Sequence, residues 1–138
     1  MTIRSMVVGF DGSETSHRAF AMAIGLAERE RGAVYACYVT HLPASTALSG
    51  LVSPAELLED RKGNDELGTF VTSELARRGI AGDFIRCCGD VASELERLAE
   101  RCGADLLVVG RTTHRHLYLA GISRDLLAWG RRPVLVVP

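Results

Sequence analysis

The chain has 138 residues, a hydrophobic fraction of 47% and a formal net charge of −1. A chain of this length fits one domain, which buries roughly 70% of the surface that its unfolded form exposes. The small net charge gives no long-range field to attract nucleic acid or an anionic membrane, so we expect neither partner. No apolar stretch approaches the roughly 20 residues needed to span a bilayer, and the N-terminal residues lead straight into a strand pattern without a secretory signal. We therefore expect a cytoplasmic protein.

The first half of the chain alternates strand and helix patterns. A branched apolar run predicts a first strand over residues 4–10, closed by a polar turn. Ser13 is a good helix N-cap, and apolar residues at helical spacing predict a helix over residues 14–31, ended by Gly32. A second strand is predicted over residues 33–40. Residues 41–53 form the longest irregular stretch, and their apolar residues leave open a lid, a contact surface or a plain crossover.

The second half continues the alternation. Pro54 suits the first turn of a helix over residues 54–78, with a defect expected near Gly63 or Gly68 and a cap at Gly79. The next four predicted elements are a strand over residues 83–88, a helix opened by Gly89-Asp90 and ended by Gly103, a strand over 105–110, and a helix over 123–130. Residues 133–137 form the last strand. This order predicts an α/β fold, with one open five-stranded parallel sheet and helices on both faces, in a single domain over residues 1–138.

Four cysteines fall inside these predicted elements without a C-x-x-C spacing: Cys37, Cys87, Cys88 and Cys102. The neighbours Cys87 and Cys88 point to opposite faces of a strand. We expect four buried, reduced thiols rather than a metal or redox site.

The strand over residues 105–110, the loop after it and the following helix form the arrangement in which open α/β sheets hold small ligands. The loop carries four basic or titratable side chains: Arg111, His114, Arg115 and His116. These residues either supply charge to a phosphate or form a solvated basic turn. His114 and His116 lack a nearby acidic ligand, so we predict no metal site. Ser123 is expected to be a helix N-cap that could also contact a phosphate.

Five motifs occur in order along the chain: Val7-Val8-Gly9-Phe10-Asp11-Gly12-Ser13, Gly89-Asp90, Ala104-Asp105-Leu106-Leu107-Val108-Val109-Gly110, Ser123-Arg124-Asp125-Leu126-Leu127 and Arg132-Pro133-Val134-Leu135-Val136-Val137. Together they resemble the universal stress protein family over essentially the whole chain. The resemblance implies an adenine nucleotide alpha hydrolase-like fold with strand order 3-2-1-4-5. It also implies a homodimer formed largely through the last strand.

The last strand gives this dimer an independent physical reason. Its four residues, Val134, Leu135, Val136 and Val137, are all apolar. At the edge of a sheet such a strand would expose apolar side chains and unpaired backbone groups. Pairing with a symmetry mate satisfies both.

Family members that bind ATP share the pattern G-x2-G-x9-G-[ST] after the fourth strand, whose glycines let the backbone approach the phosphates. Gly110 fits the first glycine, but Thr113 stands at the second. Depending on the alignment, the third glycine falls on Ala120 or Gly121 and the hydroxyl residue on Gly121 or Ile122. The loop is then about two or three residues shorter than the pattern. The resemblance therefore implies a degenerate phosphate loop.

The nucleoside end of the pocket keeps its family residues. The resemblance implies that Asp11 contacts the nucleoside and that the backbone of Val39 meets the adenine. The full set of candidate nucleotide-binding residues is Asp11, Val39, Val109, Gly110, Thr113, Gly121, Ile122 and Ser123.

We expect a binding or signalling module rather than an enzyme, because Asp11 and Ser13 are the only obvious reactive pair and match common turn chemistry. The favoured function is a dimeric stress-responsive module with weak or no ATP binding and no obligatory cofactor. The alternatives are an ATP or AMP sensor and a carrier of another small molecule in the same cleft.

Overall fold

The computed structural model describes residues 2–40, 54–111 and 122–138, with side chains except at 54–62, 122 and 123. The predicted irregular stretch at 41–53 lies outside the described residues. The elements are, in chain order, β1 (Ser5–Gly9), α1 (Glu14–Glu30), β2 (Ala33–Thr40), α2 (Pro54–Arg78), β3 (Gly82–Cys88), α3 (Val91–Cys102), β4 (Leu106–Gly110), α4 (Ile122–Trp129) and β5 (Val134–Val137).

The five strands form one parallel sheet in the order β3-β2-β1-β4-β5, which confirms the predicted fold class and strand order. β1 lies at the centre, and its residues Met6, Val7 and Val8 are fully buried. A strand buried on both faces needs a continuous apolar run rather than alternation, and this is the pattern that the sequence shows.

Helices cover both faces of the sheet, as predicted. On one face, α1 and α2 pack against the even-numbered side chains of β1, with Phe20, Ile24 and Val71 buried between them. On the other face, α3 and α4 pack over Val7 and Leu107 through residues such as Leu95 and Leu126. The site therefore stands on a scaffold that is fixed from both sides.

The end of α1 differs from the prediction. Arg31, rather than Gly32, adopts the left-handed conformation, with φ of 55°. Gly32 instead lies in close packing, because a Cβ there would lie 3.0 Å from the carbonyl oxygen of Ile3, which is tighter than an ordinary contact. The glycine serves the approach of two backbone segments, not the helix cap.

The defect predicted in α2 is absent, since the helix runs unbroken from Pro54 to Arg78. Gly68 serves packing: a Cβ there would lie 2.9 Å from the Phe84 ring, so the absence of a side chain lets the helix pack closely on β3. Gly79 follows with φ of 65°, as expected for a cap.

Two further expectations are corrected. Helix α4 begins at Ile122, so Ser123 lies inside its first turn instead of at the N-cap position; capping patterns do not distinguish adjacent positions. Cys88 is exposed, not buried, because it lies on an edge strand that has a neighbour on one side only. None of the helices in the described residues is long and apolar enough to cross a membrane.

Candidate ligand site at the carboxyl edge of the sheet

The carboxyl ends of β2, β1 and β4 lie side by side at one edge of the sheet. Helix α1, which follows β1, and helix α4, which follows β4, pack on opposite faces of the sheet, so the strand order reverses between β1 and β4, the position at which sheets of this type hold ligands. The structure brings four of the candidate nucleotide-binding residues to this edge: Asp11, Val39, Val109 and Gly110. The hydrogen bond from Phe10 N to Cys37 O, at 2.9 Å, fixes the ends of β1 and β2 relative to each other.

Asp11 is exposed and holds the turn that follows β1. Its Oδ1 accepts a hydrogen bond from Ser13 N at 2.9 Å, which is an Asx turn. Gly12 between them has φ of 84°, a conformation that side chains disfavour. The turn therefore fixes the backbone at Asp11 while leaving its carboxylate at the surface.

Ser13 is occupied as the N-cap of α1. Its hydroxyl oxygen accepts from Ser16 N at 3.3 Å, while the Ser16 hydroxyl donates to Ser13 O at 2.9 Å. These contacts satisfy donors in the first helical turn that would otherwise lack partners. Asp11 and Ser13, the one obvious reactive pair, thus serve the local structure.

Gly110 ends β4 against the first turn of α1. A Cβ at Gly110 would lie 2.6 Å from the carbonyl carbon and 2.7 Å from the carbonyl oxygen of Thr15. The absence of a side chain here is required by packing, whether or not a phosphate also approaches. Arg111 follows as an exposed residue whose N–H donates to Val137 O at 2.7 Å.

Val109 and Val39 differ in what they can offer a ligand. The Val109 side chain is buried in the core against α3, so only its backbone could face the crevice. Val39 is half-buried near the carboxyl end of β2 and pairs in register with Cys87 of β3. Its backbone lies at the edge where the resemblance predicted the adenine.

Most of the predicted phosphate loop lies outside the described residues: Thr113, His114, Arg115, His116 and Gly121. Ile122 and Ser123 are described only as the first two residues of α4. Within the described ranges, no group of three or more histidine, cysteine, aspartate or glutamate side chains could hold a metal ion.

Asn64 is a residue near this edge that the sequence reasoning missed. It lies on α2 one turn before Leu67 and Gly68, and a Cβ at Gly12 would lie 2.9 Å from Leu67. Asn64 is 6% exposed, and its Oδ1 finds no hydrogen-bond partner in the described part of the chain. Its spacing from Val71 and Leu75, which are buried on the inward face of the same helix, was the available signal.

The fold defines the class: an α/β protein with one open parallel sheet whose strand order reverses between β1 and β4. The model of the universal stress protein family matches residues 2–138. The chain therefore belongs to the universal stress protein family, as the sequence motifs predicted.

Individual relatives agree over the whole length. The universal stress protein YxiE of Bacillus subtilis is 24% identical over 143 residues, covering 96% of this chain and 97% of YxiE. A universal stress protein family structure from Burkholderia pseudomallei is 27% identical, with a TM-score of 0.78, covering 99% of this chain and 97% of that one.

Similar structures also exist with nucleotides bound. A universal stress protein from Archaeoglobus fulgidus in complex with dAMP shares the fold, with 19% identity, a TM-score of 0.68 and full coverage of both chains. Other structures of this fold hold cAMP or, in the protein from Arabidopsis thaliana, AMP.

Proposed function

We propose that this protein is a non-catalytic, dimeric binding module of the cytoplasm whose crevice takes an adenine nucleotide with one phosphate in preference to ATP. The observation that carries the proposal is the contrast between the two ends of the crevice. Asp11 and Val39 match the family pattern at the nucleoside end, and an Asx turn holds the backbone at Asp11, whereas the sequence of the phosphate end departs from the family pattern.

At the nucleoside end, Asp11 and Val39 stand at adjacent strand ends. The Asx turn holds the Asp11 backbone, and its exposed carboxylate can accept hydrogen bonds from ribose hydroxyls. Val39 presents backbone groups that suit the polar edge of a purine.

At the phosphate end, the sequence supplies too little backbone for three phosphoryl groups. Thr113 replaces the second glycine of the pattern, and the loop before Gly121 is short. Backbone amides cradle phosphates when glycines permit consecutive N–H groups to turn inward. One phosphate needs fewer such groups, and the basic side chains of Arg111 and Arg115 can pair with it.

The relatives support the same ligand class. Three of the similar structures are named with a bound nucleotide, dAMP, AMP or cAMP, each of which carries a single phosphate. A non-catalytic role is supported by Asp11 and Ser13, whose side chains are engaged in a turn and a cap.

The two edges of the sheet support dimerisation through β5. At the β3 edge, the outward Phe84 N–H donates to the Asp83 carboxylate at 2.8 Å, and Arg86 pairs with Asp65 at 2.5 Å. Charges and side-chain capping of this kind oppose strand addition. The β5 edge instead presents an uncharged apolar strand, Val134–Val137.

The backbone of β5 identifies the groups that would pair. Leu107 N donates to Pro133 O and Arg111 N donates to Val137 O, so residues 133, 135 and 137 face β4. Since a residue in a parallel strand turns its N–H and C=O to the same side, the amides of Val134 and Val136 face outward. A symmetry mate can bond to these groups without disturbing the sheet.

Titration calorimetry with AMP and ATP tests the ligand. We expect AMP to bind more tightly than ATP, and at 100 times its Kd to stabilise the fold by about 2.7 kcal/mol. Asp11→Ala should abolish binding, while Asp11→Asn, which retains the Asx acceptor and loses the charge, should weaken it without loosening the turn. Tighter binding of ATP than of AMP would refute the preference for one phosphate. No measurable binding of either would refute the proposal that the ligand is an adenine nucleotide.

Analytical ultracentrifugation tests the dimer. Val136→Pro removes one outward N–H, and Val136→Ala trims the same side chain while keeping the amide. We expect the proline variant to sediment as a monomer and the alanine variant to remain a dimer. Dissociation of both, or of neither, would contradict pairing through the β5 backbone.

A second candidate, a carrier of another small molecule, is favoured by Asn64. A buried carbonyl oxygen without a donor costs about 1–3 kcal/mol, which a ligand N–H or O–H would recover. Mass spectrometry of the native protein purified from cells tests it, because a retained ligand that is not a nucleotide would support the carrier and retained AMP would not.

A further inference from the structure

Two of the four thiols lie in contact across neighbouring strands. The sulfur of Cys37 on β2 is 3.5 Å from the sulfur of Cys87 on β3. In register, Cys37 pairs with Ile85 and Val39 pairs with Cys87, so the two cysteines are diagonal neighbours on the face covered by α3. A disulfide bond is about 2.05 Å long, so its formation requires the sulfurs to approach by about 1.5 Å and, because the residues are diagonal, the two strand ends to draw together as well.

The two thiols have different exposures. Cys37 is 1% exposed, whereas Cys87 is half-buried at the outermost strand of the sheet. Burial, and then the neighbouring Cys87, raises the pKa of the Cys37 thiol, so Cys37 stays protonated and donates its S–H to the Cys87 sulfur. An oxidant from solvent therefore reaches Cys87 before Cys37.

We propose that Cys37 and Cys87 form an oxidation site that a hydroperoxide converts to a disulfide linking β2 to β3. In the first step the Cys87 sulfur attacks the peroxide, the O–O bond breaks, and a sulfenic acid forms with release of water or an alcohol. In the second step the Cys37 sulfur attacks the Cys87 sulfur and the S–O bond breaks. The leaving hydroxide combines with the proton of the Cys37 thiol and departs as water. Two thiols lose two electrons and two protons, and one peroxide is reduced.

The remaining cysteines provide the controls. Cys88 is exposed on the opposite face of β3 from Cys87, because adjacent strand residues alternate. Cys102 ends α3, the helix that starts just after the carboxyl end of β3 and runs back along the sheet. Neither is placed to replace Cys37 or Cys87 in the pair.

The crosslink would act on the edge that carries the candidate ligand site. Cys37 lies two residues before Val39, and Gly89 N already donates to Thr40 O at 3.1 Å to join the same two strand ends. A disulfide would fix this junction covalently. The oxidation site stands on the sulfur geometry alone and does not depend on nucleotide binding.

The test uses Cys88→Ser protein, which lacks the exposed thiol that would otherwise join separate chains. After treatment with hydrogen peroxide and proteolysis without reductant, we expect a linked peptide pair containing Cys37 and Cys87, a loss of two free thiols, and recovery of both on reduction. Adding Cys102→Ser should leave the linked pair unchanged.

Adding Cys37→Ala should abolish the disulfide and leave Cys87 as a sulfenic acid, which a dimedone probe would trap. Circular dichroism would verify that this variant is folded. A linkage that includes Cys102, or peroxide treatment that leaves Cys37 and Cys87 both free or unlinked, would overturn the proposal.

Discussion

Replacing Gly110 by alanine tests whether this glycine serves packing before it serves any ligand. The added Cβ would lie 2.6 Å from the Thr15 carbonyl carbon, which is about 0.8 Å inside ordinary van der Waals contact. The obstructing atoms belong to backbone in the first turn of α1, so they cannot rotate away as a side chain would. Overpacking of this kind costs about 1–3 kcal/mol, partly offset by the smaller entropy of the unfolded alanine chain. We expect a net loss of about 1–2 kcal/mol in the free energy of unfolding.

The matched control is Gly25→Ala in the middle of α1, where a new Cβ meets nothing within 4 Å. This substitution should stabilise the protein by about 0.5–1 kcal/mol, because alanine is the better helix former. Urea unfolding at one fixed protein concentration, without nucleotide, measures both variants. If Gly110→Ala were as stable as the native chain, the packing argument would be refuted, and the glycine would have to be explained by a ligand.

Two other substitutions test the scaffold and the site by the same urea unfolding. The Arg132 side chain is 14% exposed and donates to the carboxylates of Glu96 and Glu100. Arg132→Met should lower the free energy of unfolding by about 2–4 kcal/mol, because it leaves the nearly buried Glu96 without its cation. The control Arg131→Gln, at an exposed neighbour, should lower it by less than about 0.5 kcal/mol. Equal losses in the two variants would contradict this. Asn64→Leu should raise stability by about 1 kcal/mol in the absence of ligand by removing an unsatisfied carbonyl, and a fall would show that the carboxamide is bonded.

The sequence was informative about the fold because each element carries a physical signal of its own. Helix α3 was predicted to open at Gly89-Asp90 and to end at Gly103, and in the structure the Asp90 carboxylate accepts from Ser93 N at its start and Gly103 ends it with φ of 60°. Strand order was not available from such signals, because periodicity does not say which strands are neighbours. It came from the family resemblance and is confirmed by the observed pairing.

The site was less predictable because its contacts join residues far apart in the chain. Gly32 and Gly110 are both glycines next to a predicted element, and only the three-dimensional structure shows that each lies where two backbone segments meet closely. The contact between Cys37 and Cys87 spans 50 residues and follows from a strand register that the sequence does not specify. Asn64 was overlooked because a single polar residue in a helical pattern is normally assigned to the solvent side.

The capped amide of Phe84 on β3 has a consequence for how many chains can join. A sheet that could accept strands at both margins would grow without limit, in the manner of an amyloid fibre. With one margin closed by the Asp83 carboxylate, any assembly that begins at the opposite margin is complete once two copies have met. The side chains along the β3 margin, Asp83 among them, thereby favour a finite particle over an endless one.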